Sequence, residues 1–197
     1  MKVIVLSGTP GSGKSSVAQK LSKLINAEVI PLAPFAISQD FSVEYDEERQ
    51  TNVVDINRFL PTLVNKVKAY KRNNLNFLII EGHFSDILPN KYIDYAFVLR
   101  CDPDHLILRL EKRGYELKKI RENIQAEILG NCMNYFIQKK IDNRLFEIDT
   151  TKLSIEMITR IILDIVAEKI DGMNYKPGKV DWLEKLFQEN RLHQYFD

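Results

Sequence analysis

The sequence predicts an α/β fold in three layers, a parallel sheet with helices on both faces. Three observations point there. Short apolar runs at residues 3–6, 77–80 and 95–99 lack the in-and-out alternation of a half-exposed strand, so both faces of each are buried. Stretches with apolar residues at helical spacing lie between them. A glycine-rich turn, residues 8–13, joins the first run to the first helical stretch. Strands that alternate with helices in this way build a doubly covered parallel sheet.

The elements follow in order. After the strand at 3–6, Val17, Ala18, Leu21, Leu24 and Ile25 mark one face of a helix. Residues 27–30 read as a second strand. From Pro31 to Asn52 the pattern weakens, with two prolines and an acidic patch of Glu44, Asp46, Glu47 and Glu48 around Tyr45. This stretch reads as an insertion. Periodicity returns at Asp55, and Ile56, Phe59, Leu60, Leu63, Val64 and Val67 share a helix that ends near Arg72. Pro61 marks either a kink or the true start of that helix. Asn73-Asn74 is a turn signal. The strand at 77–80 ends in Glu81-Gly82-His83, and the strand at 95–99 ends at Arg100. A helix carrying Leu106, Ile107 and Leu110 leads to Arg113-Gly114-Tyr115. Residues 118–140 read as one helical stretch, basic at both ends. A last short strand at 145–148 precedes an amphipathic helix at 154–170 with Ile155, Ile158, Ile161, Ile162 and Ile165. Residues 174–179 form a turn or linker, and 182–196 a short terminal helix with Leu183, Leu186 and Phe187 on one side.

Composition narrows the class. A chain of 197 residues is one domain, and 45% hydrophobic with 28% charged residues is ordinary for a globular protein. That size folds without disulfides or a structural metal. Twenty-eight basic against twenty-seven acidic residues give a net charge of +1, which argues against coating nucleic acid by bulk charge. Cys101 and Cys132 read as buried reduced thiols, and the three histidines form no metal cluster. No apolar run is long enough to span a membrane. A cytoplasmic protein is expected, or a nuclear one in a eukaryotic host.

The strongest motif is Gly8-Thr9-Pro10-Gly11-Ser12-Gly13-Lys14-Ser15, which fits the phosphate-binding loop pattern without a gap. It has the context that chemistry needs, a buried strand before and an amphipathic helix after. Gly11, Ser12 and Gly13 turn backbone N–H groups inward as an anion nest, and the following helix adds its positive end. Lys14 reaches the β and γ phosphates, Ser15 ligates Mg²⁺, and Ser16 adds a contact to the α phosphate. ATP with Mg²⁺ is the expected cofactor pair. Glu81 stands at the carboxyl end of a parallel strand, where ligands bind, and suits the Mg²⁺ shell or the orienting of a water. His83 suits a hydrogen bond or a proton relay beside a γ phosphate. A capping acid and a surface histidine give the same pattern. Arg109 and Arg113 are four apart on a helix and suit a clamp on transferring phosphate, with Gly114 as a hinge. A solvated basic helix end gives the same spacing.

On these residues the chain resembles the small, atypical adenylate kinase family whose members also act as ATPases in small-ribosomal-subunit maturation. That family includes the coilin-interacting nuclear ATPase and its yeast and archaeal relatives. The resemblance rests on the loop from Gly8 to Ser16, on Glu44-Tyr45-Asp46-Glu47-Glu48 with Val54-Asp55, and on Glu81-Gly82-His83. Asp94 to Arg100, Arg109 to Tyr115, and Lys118-Lys119-Ile120 with Glu122-Asn123-Ile124-Gln125 and Glu127-Ile128 complete it. It implies a P-loop, nucleoside monophosphate kinase-like domain at residues 1–171, with a monophosphate-binding insert at 31–54 and a short lid at 112–122. It also implies that Gly11, Gly13, Lys14, Ser15 and Ser16 hold ATP phosphates and that Arg113 reaches ATP from the lid. Implied partners are a nucleoside monophosphate such as AMP, a small-subunit platform ribosomal protein and transient pre-ribosomal RNA, for a monomer or weak oligomer without membrane contact.

Three departures stand out. The start of the insert, Leu32-Ala33-Pro34-Phe35-Ala36, carries no charge where the family has a Gly-Asp-Leu-type stretch. Glu81 replaces the more usual Asp. The extension at 172–197 has no matching counterpart, and its Trp182, Leu186, Phe187, Tyr195 and Phe196 are expected to pack on the core in preference to forming a partner surface. Two readings compete, a nucleoside monophosphate kinase and an ATP-driven ribosome-assembly factor with little AMP kinase activity. A kinase of a sugar or shikimate-like hydroxyl is a third, against which the Tyr-Asp-Glu-Glu and Arg-Gly-Tyr blocks count.

Overall fold

A computed structural model describes residues 1–47, 51–73, 75–141 and 144–196. Glu48 of the acidic patch and Asn74 of the turn signal lie outside the described residues. The chain opens with β1 (Lys2–Ser7), α1 (Lys14–Ile25), β2 (Glu28–Pro31) and α2 (Leu32–Ser38). Next come β3 (Ser42–Asp46), β4 (Thr51–Val54), α3 (Ile56–Arg72), β5 (Phe77–Glu81) and β6 (Tyr95–Arg100). Then follow α4 (Pro103–Glu111), α5 (Leu117–Ile128), α6 (Asn131–Gln138), β7 (Leu145–Asp149), α7 (Ile155–Val166), α8 (Trp182–Gln188) and α9 (His193–Phe196).

Five strands form one parallel sheet in the order β2-β5-β1-β6-β7. The central strand β1 pairs Val5 with Ile80 and Leu6 with Glu81 on one side, and Ser7 with Val98 on the other. Side chains alternate between two cores. Val3, Val5, Leu78 and Ile80 pack with Phe59, Leu63 and Val67 of α3 and with Phe136 of α6. Ile4, Leu6, Ile79 and Phe97 pack with Val17, Ala18 and Leu21 of α1 and with Ile158, Ile162 and Ile165 of α7. The three central strands are apolar between their ends, at 3–6 of β1, 77–80 of β5 and 95–99 of β6, because helices cover both faces, which is the three-layer architecture expected.

The structure corrects several elements. Residues 31–54 hold α2 and an antiparallel hairpin, β3 on β4, with a bulge between Ser42 and Glu44. The hairpin is mostly exposed, so it has no buried face to impose alternation. Helix α3 starts at Ile56, capped by Asp55 accepting from the Arg58 N–H, and runs through Pro61. Pro61 and Asn57 are both on the solvent side, where water satisfies the carbonyl that proline leaves without an N–H. The stretch at 118–140 is two helices, because Gly130 turns left-handed at φ 65° and caps α6.

The extension packs on the body. Trp182, Leu186 and Tyr195 are buried against Leu106, Leu110, Ile120 and Ile124 of α4 and α5, whereas Phe187 and Phe196 are exposed. Lys185 Nζ lies 2.6 Å from Asp102, and Arg191 lies 2.8 Å from Asp104, which also accepts from the Tyr195 hydroxyl. Cys101 is fully buried, which pushes its thiol up to about 12, and Cys132 is half-buried. Among the described residues no helix is long and apolar enough to cross a membrane.

Candidate active site

The carboxyl ends of β1, β5, β6 and β7 point to one edge of the sheet, and the loops leaving them build the site. After β1 the chain turns through the loop to Gly13, which caps α1 at φ 101°. A Cβ at Gly13 would meet nothing within 4 Å, so the loop faces open space there. Helix α1 has no side-chain cap and no acidic residue in its first turn. Its leading N–H groups therefore remain available to an anion, and its positive end favours one. Ser12 Oγ is buried with no partner among the described residues.

Lys14 is buried, and its Nζ donates to the Thr9 carbonyl at 3.0 Å. Burial lowers its pKa, and the nearby Arg113 guanidinium lowers it further against the opposing pull of Cys132, Glu81 and Glu127. Arg113, on the loop between α4 and α5, thus places its charge at the phosphate loop. Ser15 Oγ donates to Glu81 Oε1 at 3.2 Å. This hydroxyl and carboxylate supply the hard oxygen donors that suit Mg²⁺. Arg109 faces the same space, but its guanidinium holds the turn after β7. It donates to the Thr150 carbonyl at 2.9 Å and to the Thr151 carbonyl at 3.3 Å, with Gly11 O at 3.5 Å. Gly11, Ser12, Gly13, Ser16, Arg109, Lys112, Arg113, Thr150 and Leu153 line a cavity of about 410 Å³.

A second cavity of about 360 Å³ lies between the insert and the turn after β5. Ala33 and Ile37 of α2, Thr51, Asn52 and Val54 of β4, and His83 and Phe84 after β5 line it. The His83 side chain is exposed to solvent, yet its pKa is lowered to about 4. Desolvation by surrounding protein atoms is the main cause, followed by the Lys14 and Lys119 ammonium groups. His83 is therefore neutral at pH 7 in the nucleotide-free chain, and it offers a hydrogen bond there and no proton.

The structure thus brings Lys14, Ser15, Glu81, His83, Arg109 and Arg113 to one edge. Thr150 and Leu153 were missed, although the end of the strand at 145–148 is where the rule for parallel sheets locates ligands. Thr9 and Glu127 were also missed. They join through the Thr9 hydroxyl and Glu127 Oε2 at 2.6 Å, across 118 residues of sequence.

Comparison with known proteins places this geometry. An AAA domain family profile matches residues 4–130. A Methanocaldococcus jannaschii protein named "Putative adenylate kinase" is 35% identical over 93% of this chain and 94% of its own length. Another of the same name, from Methanosarcina acetivorans, is 31% identical over 93% of this chain and 99% of its own. The chain belongs to this adenylate kinase-like family. As a family member it shares its fold with shikimate kinase from Acinetobacter baumannii, at a TM-score of 0.62 and 12% identity over 86% of this chain and 94% of that one. Thymidylate kinase from Candida albicans has the same fold, at a TM-score of 0.55 and 15% identity over 87% and 93%. Family membership and the shared fold place the loop and sheet edge within a P-loop kinase fold.

Proposed function

We propose that the chain is an adenylate kinase-type enzyme that transfers the γ-phosphoryl group of MgATP to AMP or another nucleoside monophosphate, with ATP hydrolysis as a second activity. One observation carries the reading. One cavity of about 410 Å³ is lined by the phosphate loop, another of about 360 Å³ by the insert and His83, and His83 feels the charge of the loop lysine Lys14.

The loop N–H groups and Lys14 hold the donor phosphates. Lys14 and Arg113 meet the charge that builds on the transferring group, which is the main demand of phosphoryl transfer. Mg²⁺, held by Ser15 and by Glu81 in part through water, would neutralise the bridged phosphates. An acceptor oxygen attacks the γ-phosphorus, the bond to the β–γ bridging oxygen breaks, and ADP leaves with that electron pair. His83 orients the acceptor phosphate by a hydrogen bond. Residues 31–54 are the monophosphate-binding insert. Residues 112–122 act as the lid, bring Arg113 inward and exclude water.

The exposed hairpin favours a second reading, an ATP-driven assembly factor. Val43 and Tyr45 are 63% and 56% exposed beside Glu44, which suits a basic partner. A small-subunit platform ribosomal protein in rRNA maturation, with transient pre-ribosomal RNA contact, fits that chemistry in a cytoplasmic or nuclear setting.

The test is a product assay on the purified chain with Mg²⁺ and ATP, with and without AMP, counting ADP and free phosphate separately. Consumption of AMP with two ADP per turnover supports the kinase. Phosphate release at one rate regardless of AMP overturns it and leaves the assembly ATPase leading.

A further inference from the structure

The C-terminal extension and the phosphate loop meet at one carboxylate. Glu127 of α5 is 1% exposed. Its Oε2 accepts from the Thr9 hydroxyl at 2.6 Å. Its Oε1 accepts from Arg100 Nε at 2.7 Å, from the Cys101 N–H at 3.1 Å and from Trp182 Nε1 at 3.1 Å. Thr9 in turn receives Lys14 Nζ on its carbonyl. A second buried acid, Glu147 of β7, completes the system. Its Oε1 accepts from Arg100 Nη1 at 2.6 Å, and its Oε2 accepts from the backbone N–H groups of Gly178, Lys179 and Val180 at 3.0, 3.0 and 3.2 Å.

Two buried carboxylates share the single Arg100 guanidinium, so their remaining lone pairs need other donors. Buried carboxylates of that kind are tolerated only when donors satisfy them. Here the donors come from the phosphate loop, from the end of β6 and from the extension. Each therefore fixes the position of the others, because a buried acid that loses one donor is costly. Helix α5, which carries Glu127, begins just after the loop that carries Arg113.

We propose that Glu127 is a positioning residue: through Thr9 it sets the phosphate loop and the Lys14 ammonium, and Trp182 of the C-terminal extension holds its carboxylate in place. The extension is on this view a working part of the site, although it touches no reacting atom. The kinetic consequence rests on the reading of the loop as the ATP site; the consequence for the loop itself does not.

Thr9→Val keeps a similar shape and removes the hydroxyl, Thr9→Ser keeps the hydroxyl, and Trp182→Phe removes the indole N–H while retaining a ring. Backbone hydrogen exchange is measured on the nucleotide-free full-length chain. The peptide covering residues 7–14 should exchange about tenfold faster in Thr9→Val and about threefold faster in Trp182→Phe, and at the wild-type rate in Thr9→Ser. In ATP turnover, kcat should fall about tenfold in Thr9→Val with KM for ATP shifted less than about threefold, and Thr9→Ser should restore it. Unchanged loop exchange in Thr9→Val and Trp182→Phe overturns the proposal. A lowered melting temperature with unchanged loop exchange and kcat overturns it too, since that marks a role in packing alone. A wild-type chain that turns over no ATP defeats the functional reading, and loop exchange still decides this one.

Discussion

The cavity at the phosphate loop and the cavity lined by residues 31–54 have similar volumes, about 410 and 360 Å³, and differ in charge. Arg109, Lys112 and Arg113 wall the first, and the open end of α1 faces it. Among the described residues the second offers Thr51, Asn52 and a neutral His83 between apolar side chains. The difference separates two kinds of work. Stabilising charge that develops during transfer needs fixed cations in a dry site. Selecting a partner by hydrogen bonds and shape uses well-placed polar groups.

The sharpest way to break this contrast is Lys14→Met. ATP turnover should fall about 100-fold or more, as expected when a group aimed at transition-state charge is removed. The melting temperature should stay level or rise slightly, because a desolvated ammonium leaves the interior. Turnover at the wild-type rate in a coupled ADP assay would defeat the assignment of Lys14 to the transferring phosphate. A smaller effect is expected on the other side. Thr51→Val should raise KM for the acceptor about fivefold and leave kcat and ATP affinity within about twofold, the mark of a binding contact. A loss confined to kcat would instead place Thr51 at the reacting atoms.

The smallest effect concerns His83. Its pKa of about 4 in the folded chain lies below the ordinary histidine value of 6.5. The unfolded chain therefore binds the extra proton first, and stability drops as pH falls from 6.5 towards 4. Above that window the group contributes nothing. His83→Gln should flatten this acid loss by about 1 kcal/mol, a figure discounted for the solvent-facing edge of the ring. Denaturant unfolding at pH 7 and pH 4.5 reads it directly; an equal drop in both proteins would show that another group carries the acid sensitivity.

Legibility followed locality. The phosphate loop could be read because its residues are contiguous and its glycines have backbone duties that no other residue meets as well. Glu81 and His83 could be placed because the end of a buried parallel strand is itself a position in the fold. The break at Gly130 hid inside a helical pattern, since a single glycine is compatible with either continuing or ending a helix. The hairpin in 31–54 stayed unread because exposed strands carry no apolar face. Arg109 illustrates the opposite limit. Its spacing to Arg113 gave the shared face, but only the packed turn at Thr150 and Thr151 shows its guanidinium holding backbone carbonyls.

By itself, then, the sequence determined the α/β class, both layers of helices, the phosphate loop and the sheet edge where the candidate site lies. Each of these follows from near-neighbour physics: burial on both faces of a strand, helical periodicity, and backbone angles reserved for glycine. Tertiary structure alone decided which buried charges meet. Glu127, Arg100, Glu147 and Trp182 look like ordinary members of their own helices and strands, and nothing in their neighbours announces a partner. A buried carboxylate must find its donors wherever the packed chain brings them, and here it brought them from the phosphate loop and the C-terminal extension at once.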